Sequence, residues 1–161
     1  MRARAVTPSV SEGPGGVVAA TRDALAPARG DTRTQLAALA ARFRYPTDPH
    51  LQSIYTDTFD LAPSCSPYLG THLFGDDSAG RARLMLGLRA AGVGGGDELP
   101  DHVAEVLEFA TKFSDDEWRE LVPLVLLPAL TKMDELLRAT SNPYREVVAE
   151  ALELCRGETS C

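Results

Sequence analysis

Apolar residues recur along this chain at intervals of three and four positions, which is the spacing of one face of an α-helix. The pattern starts at residue 32, and its first apolar stripe consists of Leu36, Leu39, Ala40 and Phe43. Pro46 is expected to end this helix, because the residue before a proline avoids the helical conformation. No segment alternates apolar and polar residues in the manner of a half-buried strand. The pattern therefore predicts an all-α, single-domain helical bundle whose short loops favour antiparallel neighbours.

The later helices are predicted from similar stripes and from the residues that start or stop them. Ser66 and Ser78 are expected N-caps, since a hydroxyl can accept a free N–H of the first turn. Prolines are tolerated at first-turn positions. The predicted starts, in chain order, are Pro49, Pro67, Ala79, Pro100, Asp115 and Pro143.

Stop signals divide these helices. The helix that starts at Pro49 is expected to run to Asp60, and Gly75 should end the short helix after Ser66. Residues 92–97 form the clearest loop, with four glycines in five positions. Pro123 and Pro128 should kink or break the helix that starts at Asp115, because each removes one backbone hydrogen bond.

Composition separates a leader from the helical part. Residues 1–30 are rich in Ala, Gly, Pro and Ser, and this bias predicts a flexible segment. The predicted organisation is thus a leader over residues 1–30, a helical domain over 31–156 and a tail over 157–161. A chain of 161 residues is the right length for one such domain.

Charge and cysteine usage narrow the classes of partner and compartment. The net charge of −7 disfavours nucleic acid and favours a basic peptide or protein surface. Three cysteines without a paired spacing do not predict a disulfide framework or a zinc site. The longest apolar stretch, residues 121–130, is about half of a membrane span. With no secretory signal at the N-terminus, the cytoplasm is the expected location.

A metal-dependent enzyme is the alternative that these residues leave open. Two loop-flanked segments could converge on a metal through His72, Asp76, Asp77, Asp101 and His102. A small metal-dependent hydrolase would use His72, Asp101 and His102 of this set. No H-E-x-x-H pair or Cys/His cluster supports it. Asp76, Asp77 and Asp101 also fit helix ends, where the macrodipole favours a carboxylate in a first turn. The sequence therefore favours a protein without a metal site and without catalytic residues.

A binding groove explains more of the polar and aromatic residues. Aromatic and histidine side chains are concentrated within twenty positions, at Tyr55, Phe59, Tyr68, His72 and Phe74. Tyrosine and histidine have polar tips that need water or a partner, so part of this set should line a groove. If the glycine-rich loop folds back, Glu98 and Asp101 would form its acidic rim, with Asp101 and His102 exposed. Such a groove would suit an apolar peptide segment with basic flanks.

Two motif islands give the chain a specific resemblance. The first reads Tyr55-x-x-x-Phe59-Asp60, then Ser66-x-Tyr68-Leu69-x-x-His72-Leu73-Phe74-Gly75-Asp76. The second reads Glu98-Leu99-Pro100-Asp101-His102, followed by Leu107-Glu108-Phe109. Over about residues 32–155 the chain resembles the NarJ/TorD family of molybdenum-enzyme maturation chaperones, and Leu99 is more similar to the nitrate-reductase side. Two departures are the shortened segment between Tyr45 and Tyr55 and the small Ala90, where relatives often have tyrosine.

The resemblance implies an all-helical cytoplasmic chaperone of the TorD/NarJ type, with neither enzyme activity nor a cofactor. Such proteins bind the apo catalytic subunit of a molybdopterin oxidoreductase, often through an N-terminal twin-arginine signal or its remnant. They assist cofactor insertion and assembly before export or membrane docking. A structural subunit of the mature enzyme and a domain-swapped homodimer remain open alternatives. The client-binding residues implied are Tyr55, Phe59, Asp60, Tyr68, His72, Phe74, Asp76, Glu98, Pro100, Asp101 and His102.

Overall fold

The computed structural model describes residues 31–46, 48–60 and 63–159. The predicted leader over residues 1–30 lies outside these ranges. The helices are α1 (Thr32–Arg44), α2 (Pro49–Tyr55), α3 (Leu69–Phe74), α4 (Ser78–Ala91), α5 (Val103–Glu108), α6 (Asp115–Leu121), α7 (Leu127–Ala139) and α8 (Arg145–Thr159). The described residues contain no strand, which confirms the all-α prediction. In these same residues, no helix combines the length and apolar character needed to cross a bilayer.

The bundle forms around α1, α5, α7 and α8. Helix α1 packs against α5 and α8, while α7 packs against α8 and α3, and α3 contacts α4. The stripe predicted on α1 is the face that is buried, with Leu36, Leu39 and Phe43 all in the core. Arg42 and Arg44 lie in the last turn of α1, where the helix dipole favours a cation. Core packing thus fixes the end of α1 against α5.

Helices α3 and α5 begin later than the sequence predicts. Residues Tyr68 and His102 form an isolated antiparallel bridge. In it, Leu69 N donates to Asp101 O at 2.8 Å, and Val103 N donates to Pro67 O at 2.8 Å. These long-range bonds hold both strand-like residues extended, so neither Pro67 nor Pro100 is the first residue of a helix. The predicted starts at these prolines were therefore wrong.

The ends of the other helices agree with the sequence in part. Asp77, not Ser78, is the N-cap of α4, since its Oδ1 accepts the N–H of Gly80 at 3.0 Å. Gly92 ends the helix in the left-handed conformation, as its position in the predicted loop requires. The capping box from Ser114 to Glu117 is present. Helix α8 runs to Thr159, so residues 157–159 of the predicted tail are helical.

Two π-helical turns interrupt the regular α-helical geometry inside longer helical stretches. Helix α2 continues through a π turn, Thr56–Asp60, to the predicted end at Asp60. A second π turn, Val122–Leu126, joins α6 to α7, and in it Leu127 N donates to Val122 O. The wider turn accommodates the two prolines, whose rings would otherwise crowd the preceding carbonyls. Of the predicted kink or break at Pro123 and Pro128, the break does not occur: the helical path continues to Ala139, and the π turn is where it departs from the regular α-helix.

Candidate functional site

An acidic groove of about 550 Å³ opens where the end of α1, the first π turn, the 96–102 segment and α5 meet. We use the name acidic groove for this depression, which is lined by Arg44, Tyr45, Tyr55, Asp60, Gly96, Asp97, Glu98, His102, Glu105 and Glu108. Five of these residues are carboxylates, and one arginine is the opposing cation among the described lining residues. The groove therefore presents a negative potential to any ligand that enters it.

A second depression, of about 600 Å³, adjoins the acidic groove. Phe43, Pro46, Gln52 and Thr56 help to line it, and it shares Arg44, Tyr45 and Tyr55 with the groove. The side of the groove next to α2 is therefore aromatic rather than acidic. Tyr45 is 71% exposed at this junction.

Tyr55 connects the groove to the core. Its ring lies 4.9 Å from that of Phe59 and 5.6 Å from that of Tyr144. Its hydroxyl faces His102 Nε2 at 3.5 Å. Burial raises the pKa of Tyr55, and the nearby charges of Asp60 and Glu98 raise it further. The hydroxyl therefore stays neutral and can donate a hydrogen bond at the groove surface.

Tyr68 holds Glu98 at the edge of the groove. The Tyr68 hydroxyl donates to Glu98 Oε1 at 2.7 Å. Its ring meets the His102 ring edge-on, with the centroids 5.3 Å apart. Burial and the hydrogen bond to Glu98 raise the pKa of Tyr68 to about 12. This tyrosine thus positions a carboxylate without lining the groove itself.

Asp101 and His102 are buried, with 0% and 3% exposure, so the expectation that both are exposed was wrong. His102 is the N-cap of α5, where Nδ1 accepts the N–H of Ala104 at 3.1 Å. Asp101 instead binds Arg81, and its Oδ2 lies 2.8 Å from Arg81 Nε. His102 reaches the groove through one ring edge, whereas Asp101 lies beneath it as a structural carboxylate.

The remaining predicted residues separate by location. Tyr55, Asp60, Glu98 and His102 line the acidic groove. Other members do not line it: Phe59 and Pro100 are buried, His72 and Phe74 belong to α3, and Asp76 lies in the exposed turn after α3. The two motif islands are thus joined by the bridge between Tyr68 and His102, but the structure brings only part of them to one surface.

The residues of the metal hypothesis point to separate partners. His72 Nε2 lies 2.8 Å from Ser66 O, while Asp101 pairs with Arg81. His102 Nδ1 is occupied by the cap of α5. Across the part of the chain described here, no group of three or more His, Cys, Asp or Glu residues could hold a metal ion. No observation therefore favours the hydrolase alternative.

Several groove residues were not predicted from the sequence. These are Arg44, Tyr45, Asp97, Glu105 and Glu108. Glu105 and Glu108 are three residues apart and thus share one face of α5, which is the one local signal available. Gly96 allows the loop to approach this face, because a Cβ there would lie 2.7 Å from Glu105 Oε2. That the face borders a groove depends on the position of α1, which no local pattern reports.

Arg44 crosses the groove to these two carboxylates. Its Nη2 lies 2.8 Å from Glu105 Oε2 and 3.0 Å from Glu108 Oε1. The Glu105 side chain is 10% exposed and that of Glu108 is 62% exposed. Glu105 is therefore the nearly buried partner of Arg44, and Glu108 is the partner at the solvent-exposed edge of the groove.

Acidification should destabilise the fold through His72 and His102. Burial is the main cause that lowers the pKa of each below the ordinary value of 6.5. The unfolded chain then binds protons more readily than the folded protein. The contribution of these histidines to stability is therefore fully present above about pH 6.5, and it is lost as the pH falls toward their pKa values in the folded protein. Each histidine contributes at most about 1.4 kcal/mol per pH unit.

Urea unfolding at about pH 7.5 and about pH 5.5 measures this loss. His72→Gln, and separately His102→Asn, which retains an N-cap acceptor, should each make the loss smaller. His50→Gln, at an exposed position, is the control. An undiminished loss in both variants would contradict the assignment to these rings.

A comparison with known protein families assigns most of this chain to a family. The sequence model of the family described as nitrate reductase delta subunit matches residues 22–150. The matched range is most of the chain and includes every residue that lines the acidic groove. Neither the curated proteins nor the solved structures give a match.

Proposed function

This chain belongs to the nitrate reductase delta subunit family of NarJ/TorD-type chaperones, and on that premise we propose that its acidic groove binds the apo catalytic subunit of a molybdopterin oxidoreductase. The family supports a role in molybdenum-enzyme maturation, as a chaperone rather than a catalytic enzyme. The client would be a nitrate reductase or a related enzyme of the same class.

The charge of the groove is the observation that carries this proposal. Five carboxylates and one arginine line it, so it attracts a segment with cationic side chains. Tyr45 and Tyr55, on its aromatic side, can cover the apolar part of the same segment. An N-terminal segment with a twin-arginine signal, or a remnant of one, combines these two properties.

Binding of this kind suits a partner that is later released. About 600 Å² of apolar contact at about 25 cal/mol/Å² gives roughly 15 kcal/mol before other terms. Association and ordering of the peptide remove roughly half or more of it. The resulting affinity is of micromolar class, about −8 kcal/mol. The chaperone would hold the apoprotein in the cytoplasm until the cofactor is inserted, and then dissociate.

A pull-down from the native cytoplasm tests the proposal. Tagged chaperone is recovered from cells that express a molybdenum oxidoreductase, and the retained proteins are identified by mass spectrometry. We expect the catalytic subunit without its cofactor. Recovery of the chaperone as a stoichiometric component of the active, cofactor-loaded enzyme would contradict a transient role, and so would retention of no oxidoreductase subunit.

A further inference from the structure

The acidic groove already contains a cation of the protein itself. Arg44 Nη2 contacts both Glu105 and Glu108, within 3.0 Å of each. No other Lys or Arg belongs to the described lining of the groove. The Arg44 guanidinium therefore already pairs with two of the five carboxylates that line the groove.

The contacts of Arg44 are those of a replaceable ligand. Both ion pairs pass through Nη2, so the two-pronged geometry that makes Arg–carboxylate pairs strong is not used. The Nε atom is buried without a hydrogen-bond partner, and such a donor lowers the net stability of the arrangement. The Glu108 carboxylate is mostly exposed, and water screens its attraction to Arg44.

We propose that Arg44 is a self-ligand of the groove, displaced from Glu105 and Glu108 by a cationic side chain of the bound segment. This inference rests on the proposed client binding. The exchange replaces one cation by another, so the nearly buried Glu105 is never left without a counter-charge. Released Arg44 stays at the C-terminal end of α1, where the helix dipole favours its charge.

The exchange makes Arg44 a determinant of specificity. A neutral segment has no group that compensates Glu105 when Arg44 leaves, so it cannot enter this part of the groove without cost. A basic segment can, and its affinity is reduced by the competition with Arg44. Removal of the Arg44 charge should therefore raise affinity for basic segments selectively.

Arg44→Gln tests this with a synthetic peptide that carries two arginines beside an apolar stretch. Calorimetric titration should show binding about three- to tenfold tighter than to the wild type. The same peptide with glutamines in place of its arginines should show no gain. Arg42→Gln is the matched control, since it removes one positive charge from the same helix, where Arg42 pairs with Glu150 outside the groove.

A measurement on the wild type covers the case in which Arg44→Gln destabilises the fold. The Nε–Hε resonance of Arg44 should shift when the basic peptide is added and saturate with its binding curve. An unchanged or weaker affinity of a folded Arg44→Gln variant overturns the self-ligand, as does an Arg44 signal that does not move while the peptide binds. In both cases client binding in the groove survives. Failure of the wild type to bind the basic peptide overturns both proposals.

Discussion

Replacement of Asp101 by alanine is expected to lower the free energy of unfolding by about 3 kcal/mol. The carboxylate is fully buried. Its Oδ2 accepts from Arg81 Nε at 2.8 Å and from Gly70 N at 3.2 Å, and its Oδ1 accepts from Arg81 Nη2 at 3.3 Å. Alanine would leave a buried N–H without an acceptor and Arg81 without its counter-ion. Both losses act in the same direction.

The same substitution should disturb the groove, because Asp101 joins its supports. The carboxylate binds the start of α3 and the Arg81 side chain of α4, and the Arg81 guanidinium lies 5.1 Å above the Tyr68 ring. Tyr68 in turn holds Glu98. A weaker attachment of this turn would therefore loosen Glu98 and His102, although Asp101 itself does not line the groove.

Urea unfolding of Asp101→Ala measures the loss. Asp76→Ala, which removes an exposed carboxylate from the turn after α3, is the matched control and should stay within about 0.5 kcal/mol of the wild type. Adding Arg81→Ala to the wild type and to Asp101→Ala completes a double-mutant cycle, for which we expect a coupling energy of about 1–3 kcal/mol. An Asp101→Ala protein as stable as the Asp76→Ala control would show that the network does not hold the fold.

Reversing two charges of the groove is expected to weaken client binding about 30-fold, or about 2 kcal/mol. The variant combines Asp60→Lys with Asp97→Lys. Both positions are exposed and line the groove, and neither contacts Arg44 through an ion pair in the described structure. The change of four charge units turns attraction of a basic segment into repulsion. Most of the effect should appear in the association rate and should shrink at high salt.

The control for this variant carries the same change of net charge elsewhere. Glu120→Lys with Glu135→Lys alters two exposed carboxylates on α6 and α7, outside the groove. Calorimetry and stopped-flow binding of the two-arginine peptide compare the two proteins at low and high salt. If both variants lose affinity equally, the attraction belongs to the net charge of −7 and not to the groove.

The helices were predictable where a local rule decides them. The stripe of α1, the capping box at Ser114 and the glycine-rich loop after α4 depend on neighbours within one or two turns. The predicted starts at Pro67 and Pro100 were wrong because hydrogen bonds between segments more than thirty residues apart hold these prolines outside the helices, which begin at Leu69 and Val103. Proline is compatible with a first turn but does not require one.

The sequence by itself determined the fold class and the family, since helical periodicity is local and the two motif islands carry the resemblance that the family match confirms. Only the tertiary structure decided which residues share the groove. Arg44, Asp60, Asp97 and Glu108 come from four separate segments, and tertiary packing, such as that of α1 against α5, sets the distances between them. It also decided that Asp101 is buried beneath the groove. Packing places a polar side chain according to all of its neighbours, whereas periodicity reports only the helix on which it lies.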